Sequence, residues 1–81
     1  MRMTHIITIP KDTITRYKFE KLQLALAVLE EHDNKYGLGI ATDSSGDFYE
    51  FWLMEENALR RAEQMKYFCI GFLNMPELEN L

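Results

Sequence analysis

The chain has 81 residues, of which 47% are apolar and 12% aromatic, and its formal net charge is −4. A chain of this length has material for one hydrophobic core, and this apolar fraction excludes an intrinsically disordered chain. We therefore predict a single domain over residues 1–81, with a loosely ordered tail at residues 75–81.

The order of the charges along the chain indicates the kind of partner to expect. Residues 1–21 carry five basic and two acidic groups, residues 22–56 carry one basic and eight acidic groups, and residues 57–81 carry three of each. An acidic block in the middle of the chain opposes phosphate binding there. It favours a partner protein with a basic surface.

The location that the sequence predicts is the cytoplasm, of the producing cell or of an infected cell. Cys69 is the only cysteine, so no internal disulfide can form, and its apolar surroundings suit a reduced, buried thiol. The N-terminus contains no apolar segment of the length that a signal peptide needs. The longest run without a charged residue has 10 positions, about half of a bilayer-spanning helix, so we expect no membrane contact.

The first predicted elements are a strand and a long helix. Residues 4–9 are mostly β-branched, and Pro10 ends the run because it cannot donate to a sheet ladder. Capping residues then precede a helix predicted over residues 14–32. Its buried stripe repeats at intervals of three and four and consists of Phe19, Leu22, Ala25, Leu26, Val28 and Leu29.

A β-hairpin follows, built from GLGIAT and DFYEFWL around the turn sequence DSSG at residues 43–46. A four-residue loop pairs residue 42 with 47 and, by continuation, residue 37 with 52. The predicted core face of this hairpin carries Leu38, Ile40, Tyr49, Phe51 and Leu53. The other face carries Phe48, Glu50 and Trp52, opposite Ala41, Gly39 and Gly37.

The second helix is predicted to begin near Met54, with Glu55 and Glu56 in its first turn, and to stop before Pro76. Its predicted buried stripe consists of Ala58, Leu59, Ala62, Met65, Cys69, Phe72 and Leu73. The resulting prediction is a small α+β domain of order β-α-β-β-α. Its three-stranded, mostly antiparallel sheet packs both helices on one face.

The acidic hairpin does not match a calcium-binding loop. Counting from Asp43, position six is Phe48 where that loop needs glycine, and position twelve is Met54 where it needs glutamate. The sequence also offers no glycine-rich phosphate loop and no nucleophile beside a base. We therefore predict no catalytic residue, no cofactor and no metal, and we expect that the protein is not an enzyme.

The predicted site is the hairpin face that carries Phe48 and Trp52, because the neighbouring glycines leave both rings uncovered. An aromatic centre with an acidic rim is typical of a protein-protein contact with a basic partner. The partner-binding residues that we predict are Phe48, Trp52, Glu50, Asp47, Asp43, Glu55 and Glu56. Two alternatives remain open: a homodimer through the same face, and burial of this face by the second helix or by the run containing Tyr67, Phe68 and Ile70.

In size, acidity and lack of catalytic motifs the chain resembles phage-encoded inhibitors of host defence or transcription, including anti-CRISPR proteins, although no motif is shared. That resemblance implies a non-catalytic interaction module that acts as an inhibitor or regulator, with carboxylates in place of DNA phosphates. The alternative function is an RNA-binding or single-stranded nucleic-acid-binding protein that stacks bases on Phe48 and Trp52. Asp47 and Glu50 disfavour it, because phosphates would meet like charge.

Overall fold

The computed structural model describes residues 3–33 and 37–76 and confirms the predicted α+β domain of order β-α-β-β-α. Part of the predicted tail, residues 77–81, lies outside the described residues. The elements are strand β1 (Thr4–Pro10), a 3-10 turn (Lys11–Thr13), helix α1 (Arg16–Asp33), strands β2 (Leu38–Thr42) and β3 (Phe48–Leu53), and helix α2 (Leu59–Leu73).

The sheet has the order β1-β3-β2, and β3 pairs antiparallel with both neighbours. β1 and β2 therefore run parallel to each other with β3 between them, which makes β1-α1-β2 a split β-α-β unit. β1 contains a bulge between His5 and Ile7, and Ile6 within it is buried. The central position of β3 gives it two neighbours to pair with, whereas β1 and β2 have one each among the described residues.

The predicted hairpin register is wrong by two residues. Ile40 pairs with Phe51 and Ala41 with Glu50, where we expected Ile40 opposite Tyr49 and Ala41 opposite Phe48. The loop has the expected four residues but lies one residue later in the chain, at residues 44–47, because the Asp43 N–H donates to the Phe48 carbonyl, 3.0 Å away. A shift of two keeps every side chain on its predicted face, since side chains alternate along a strand with period two.

Both helices pack against one face of the sheet and enclose a single core. α2 lies against β1, and α1 lies against β2 and alongside α2. The strands contribute Ile6, Ile9, Phe51 and Leu53 to this core, and the helices and their approaches contribute Ile14, Phe19, Leu22, Leu26, Ala58, Ala62, Met65 and Cys69. Burial raises the pKa of the Cys69 thiol to about 11, so the side chain is a protonated core residue at neutral pH.

Helix α2 begins at Leu59, five residues later than predicted, so Glu55 and Glu56 lie in the preceding turn. Asn57 interrupts the helical path there with φ 63°. The buried Thr4 side chain holds this turn, since its Oγ1 donates to the Glu55 carbonyl at 2.6 Å and accepts the Ala58 N–H at 3.2 Å. The sequence pattern could not reveal these two hydrogen bonds, which join residues about fifty positions apart.

Two residues of the predicted buried stripes are exposed instead. Val28 is 64% exposed and Leu59 is 72% exposed. Val28 is six residues beyond the buried Leu22, and about 100° of rotation per residue turns it to the outer side of α1. Leu59 begins α2 beside the free edge of β1, where it lines a groove with His5 and Ile6.

The Lys18 ammonium joins the start of α1 to the end of α2. Its Nζ donates to the Leu73 carbonyl at 3.0 Å and to the Met75 carbonyl at 2.5 Å. Cationic groups at a helix C-terminus stabilise it, because they satisfy carbonyls that have no partner within the helix.

We predict that Lys18→Met lowers the free energy of unfolding by about 1 kcal/mol, through loss of these two charge-assisted bonds. The matched control is Lys21→Met, which removes the same charge from the exposed side of α1 and should change stability by less than about 0.5 kcal/mol. Urea denaturation followed by circular dichroism measures both. Equal effects of the two substitutions would contradict the assigned role of Lys18.

Candidate protein-interaction site

The side of the sheet away from the helices forms a continuous surface that we call the open face. It is built on β3, whose alternate residues Phe48, Glu50 and Trp52 point away from the core. The neighbouring strands contribute His5, Thr8 and Pro10 from β1 and Gly39 and Ala41 from β2. The buried helix residues cluster with Phe51 and Leu53 on the other face, and Tyr67, Phe68 and Ile70 are exposed, so the alternative in which α2 or its C-terminal run buries this face is wrong.

Trp52 is held in place on the open face by two side chains. The His5 ring lies edge-on to the indole, with ring centroids 5.0 Å apart. The indole Nε1–H donates to Oε1 of Glu50 at 3.3 Å. His5 is in turn bonded to Thr8, with 2.7 Å between Nε2 and Oγ1. These contacts hold the ring in one orientation.

Trp52 is half-buried, not uncovered as the glycines on β2 had led us to expect. Met54 occupies the space beside Gly39, since a Cβ added there would come within 2.6 Å of the Met54 sulfur and 3.8 Å of the Trp52 Cβ. The glycine therefore makes room for the Met54 side chain, whereas the Trp52 Cβ would be at an ordinary van der Waals distance. The same correction applies to Phe48, which is also half-buried and lies opposite Pro10.

Each end of the open face carries a shallow hollow. At the Phe48 end, Pro10, Lys11, Asp12 and Asp47 surround a hollow of about 310 Å³. The Lys11 N–H donates to the Asp47 carbonyl at 2.9 Å, which closes the sheet at this end. The hollow therefore brings two carboxylates to the edge of Phe48, whereas the Lys11 ammonium lies 5.0 Å from the centroid of the Tyr49 ring.

The hollow at the Trp52 end is larger, about 420 Å³, and combines three kinds of surface. Trp52 and His5 supply aromatic surface, Met3 and Leu59 supply aliphatic surface, and Glu56 supplies a carboxylate. An alkyl chain that ends in a cation matches this combination, since the stem packs on apolar groups while the charge reaches a ring or a carboxylate.

Asp43, one of the predicted partner-binding residues, has a local role in the hairpin turn. Its Oδ1 accepts the Ser45 hydroxyl at 2.8 Å and the N–H groups of Gly46 and Phe48 at 3.1 and 3.3 Å. Desolvation alone would raise the pKa of this carboxyl, but the hydrogen bonds from Ser45 and the backbone outweigh it and hold the pKa below its ordinary value. Gly46 closes the turn at φ 83°, a conformation that glycine adopts without strain.

The other acidic residues of the predicted site divide between the two ends of the open face. Asp47 is exposed beside Phe48, and Glu55 and Glu56 are exposed in the turn that follows Trp52. Glu50 lies between the rings. The structure thus brings Glu50 and Glu56 to Trp52, and Asp47 to Phe48.

The sequence-based prediction missed His5, Thr8 and Met54 as parts of this surface. His5 and Thr8 belong to β1, and only the strand order places β1 beside β3. The available signal was the polarity of these two residues, which indicates a face turned to solvent, but Thr4 of the same strand is also polar and is buried. Met54 follows β3 directly and could be placed only from the three-dimensional course of the turn.

Within residues 3–33 and 37–76, no group of three or more His, Cys, Asp and Glu side chains is arranged to hold a metal ion. No helix in this part of the chain is long and apolar enough to cross a bilayer. No family model matches the chain, and neither curated proteins nor solved structures include a significant match to it.

We predict that Phe51→Ala, on the core face of β3, lowers the free energy of unfolding by about 3–5 kcal/mol. Trp52→Ala, its neighbour on the open face, should cost about 1–2 kcal/mol, because the indole is half-buried and its ring contacts are with His5 and Glu50 at the surface. Chemical denaturation of the two variants compares these values. A loss for Trp52→Ala as large as for Phe51→Ala would place the indole in the core.

Proposed function

We propose that this chain is a non-catalytic protein-interaction module whose open face binds a basic surface of a partner protein. The observation that carries the proposal is the arrangement along β3, where the half-exposed rings of Phe48 and Trp52 flank the Glu50 carboxylate on the helix-free side. Aromatic anchors surrounded by charged groups are the composition of protein-protein hot spots.

The fixed orientation of Trp52 supports this proposal. Binding costs conformational entropy whenever a side chain has to be immobilised, and a ring already held by His5 and Glu50 avoids most of that cost. The half-buried state of Trp52 also limits the free energy gained from burying the ring on binding, because only its outer part is still exposed. We therefore expect charge complementarity to carry a large share of the specificity.

The hollow beside Trp52 suggests which partner group binds there. A lysine or arginine side chain would lay its methylene groups against Met3 and Leu59 and bring its charge to the indole and to Glu56. Glu50 and Glu55 add negative potential around this position. Glu50 has two roles. It adds negative potential, and it accepts the hydrogen bond of the indole N–H that holds Trp52 in place.

In this proposal the module acts as a small inhibitor or regulator that occupies a nucleic-acid-binding surface of its target, as phage-encoded inhibitors do. Asp47, Glu50, Glu55 and Glu56 would stand where the target expects phosphates. Asp43 contributes negative electrostatic potential but little direct contact with the target, because its carboxylate already accepts several hydrogen bonds in the turn.

We predict that the tagged protein captures a stoichiometric partner from a nuclease-treated bacterial lysate and that Trp52→Ala loses it. The matched control is Tyr17→Ala, which removes an exposed ring from α1, on the other side of the molecule, and should retain the partner. Mass spectrometry identifies what is bound. Retention of the same partner by Trp52→Ala would contradict the proposed site. A captured second copy of this chain that Trp52→Ala loses would favour the homodimer through the open face.

A second prediction uses the single tryptophan of the chain as a reporter. A lysine- and arginine-rich peptide should change the fluorescence of Trp52, and the affinity should fall steeply between 50 and 300 mM salt, on the order of tenfold or more. Glu50→Lys should weaken binding at least tenfold. Glu31→Lys, the same charge change on exposed α1, should alter it less than threefold. Equal effects of the two substitutions would show that net charge, and not this site, governs binding.

The alternative function, base stacking on Phe48 and Trp52, gives a different result in the same assays. A single-stranded nucleic acid would then quench Trp52 at moderate salt where the basic peptide does not, and the captured material would disappear after nuclease treatment. Its support in the structure is limited to the two half-exposed rings, because the Lys11 ammonium lies 5.0 Å from the centroid of the Tyr49 ring, on the core face of β3. Asp12 and Asp47 line the hollow beside Phe48 and oppose a phosphate there.

A further inference from the structure

The free edge of β1 borders a groove on the helical side of the sheet. Within the part of the chain that the structure describes, β1 pairs only with β3, so the backbone groups on its other side have no ladder partner. α2 forms the second wall of the groove, whose volume is about 520 Å³. β1 contributes His5 and Ile6 to the lining, and α2 contributes Leu59, Glu63 and Lys66 among others. We call this surface the β1 groove.

The α2 wall carries one straight stripe of side chains, formed by Leu59, Glu63, Lys66 and Ile70. Their spacing of four, three and four residues places them within an arc of about 60°, at about 100° of rotation per residue. Leu59 is 72% and Ile70 39% exposed, and both charged residues are exposed as well. Neither charged residue has a hydrogen bond or an ion pair within residues 3–33 and 37–76. The stripe therefore presents two unpaired charges of opposite sign between two apolar ends.

The stripe faces away from both layers of its own molecule. Arg61 lies on the opposite side of α2, where its Nη2–H donates to the Leu29 carbonyl of α1 at 3.0 Å. The side of α2 that packs on the sheet carries the buried residues Ala62, Met65 and Cys69. A stripe that borders β1, and that faces neither α1 nor the sheet, points outward beyond the edge of the sheet.

We propose that the β1 groove is a self-association site, at which β1 pairs antiparallel with β1 of a second copy and the two stripes pack antiparallel beside the strands. The charges determine the occupant and its direction. With a twofold axis between residues 64 and 65, Glu63 of each copy faces Lys66 of the other, and Leu59 of each copy faces Ile70 of the other. Parallel stripes would instead place glutamate against glutamate and lysine against lysine.

A single twofold axis perpendicular to the sheet serves both contacts, because β1 and α2 run side by side. They begin together, since the Ala58 N–H donates to the Thr4 hydroxyl at 3.2 Å. They end together, since Lys18, near the start of α1, donates to the Leu73 carbonyl at 3.0 Å. Seven strand residues and fifteen helix residues both span about 22–23 Å. The midpoints of the two elements are therefore adjacent, and the axis that pairs the strands also pairs the stripes.

The dimer would join the two sheets into one sheet of six strands, in the order β2-β3-β1-β1-β3-β2. Both open faces would lie uncovered on the same side of it, which distinguishes this dimer from one formed through the open face. Leu59 also borders the hollow beside Trp52, so the second copy would narrow that hollow on its aliphatic side. The bulge between His5 and Ile7 shortens the regular part of the edge, so the stripe has to supply much of the affinity.

Sedimentation equilibrium of the whole chain between about 5 and 500 µM tests this proposal, because a small interface of this kind should dissociate at about 10–100 µM. Glu63→Lys and Lys66→Glu should each raise the dissociation constant at least about tenfold, because each creates two like-charged pairs across the axis. The fold should survive, since glutamate and lysine have similar helix propensities.

A charge swap separates the proposed pairing from an effect of net charge. The double variant Glu63→Lys/Lys66→Glu should return the dissociation constant to within about threefold of the wild type, and an equimolar mixture of the two single variants should form a heterodimer. Glu31→Lys, the same charge change on α1, should also stay within about threefold. A double variant that associates no better than the single variants overturns the proposal. A wild type that stays monomeric at about 500 µM also overturns it, and would leave the groove to an extended segment of another protein.

Amide hydrogen exchange followed by NMR locates the contact on the sheet. The β1 amides that face away from β3 should exchange at least about tenfold more slowly above the dissociation constant than below it, because they gain ladder partners. The outer amides of β2, the other edge strand, are the matched control and should not change with concentration. Glu63→Lys should abolish the effect in β1. Concentration-dependent protection that appears in β2, or that is absent from β1 in a dimer, contradicts pairing through the β1 edge.

Discussion

The alternation of side chains along β3 is the constraint on which the rest of the structure depends. β3 is the central strand, so its two neighbours take their positions and faces from it. Tyr49, Phe51 and Leu53 point to the helices, and Phe51 and Leu53 are fully buried there. The same alternation sends Phe48, Glu50 and Trp52 to the other side. Core and candidate site are therefore the two faces of one strand, and neither can be reassigned without moving the other.

This constraint explains which parts of the fold could be predicted from the sequence. The period-two pattern assigned the faces of the hairpin correctly even though its register was wrong, because an error of two residues preserves the alternation. The start of α2 was wrong because Thr4 fixes the preceding turn from the far end of the chain, and local sequence carries no trace of that bond. The exposure of Val28 reflects how narrow the contact between α1 and the small sheet is.

The sequence predicted the face on which the candidate site lies, but not the side chains that partly cover its rings. The alternation along the predicted hairpin placed Phe48 and Trp52 on the face opposite the core. The solvent exposure of a ring on such a face depends on the side chains of the adjacent strands. These side chains could not be identified without the strand order. His5 packs against one side of Trp52, and Met54 packs beside Gly39 on the other. The result is a smaller but better oriented anchor, which shifts the expected source of affinity from buried area towards charge and fixed geometry.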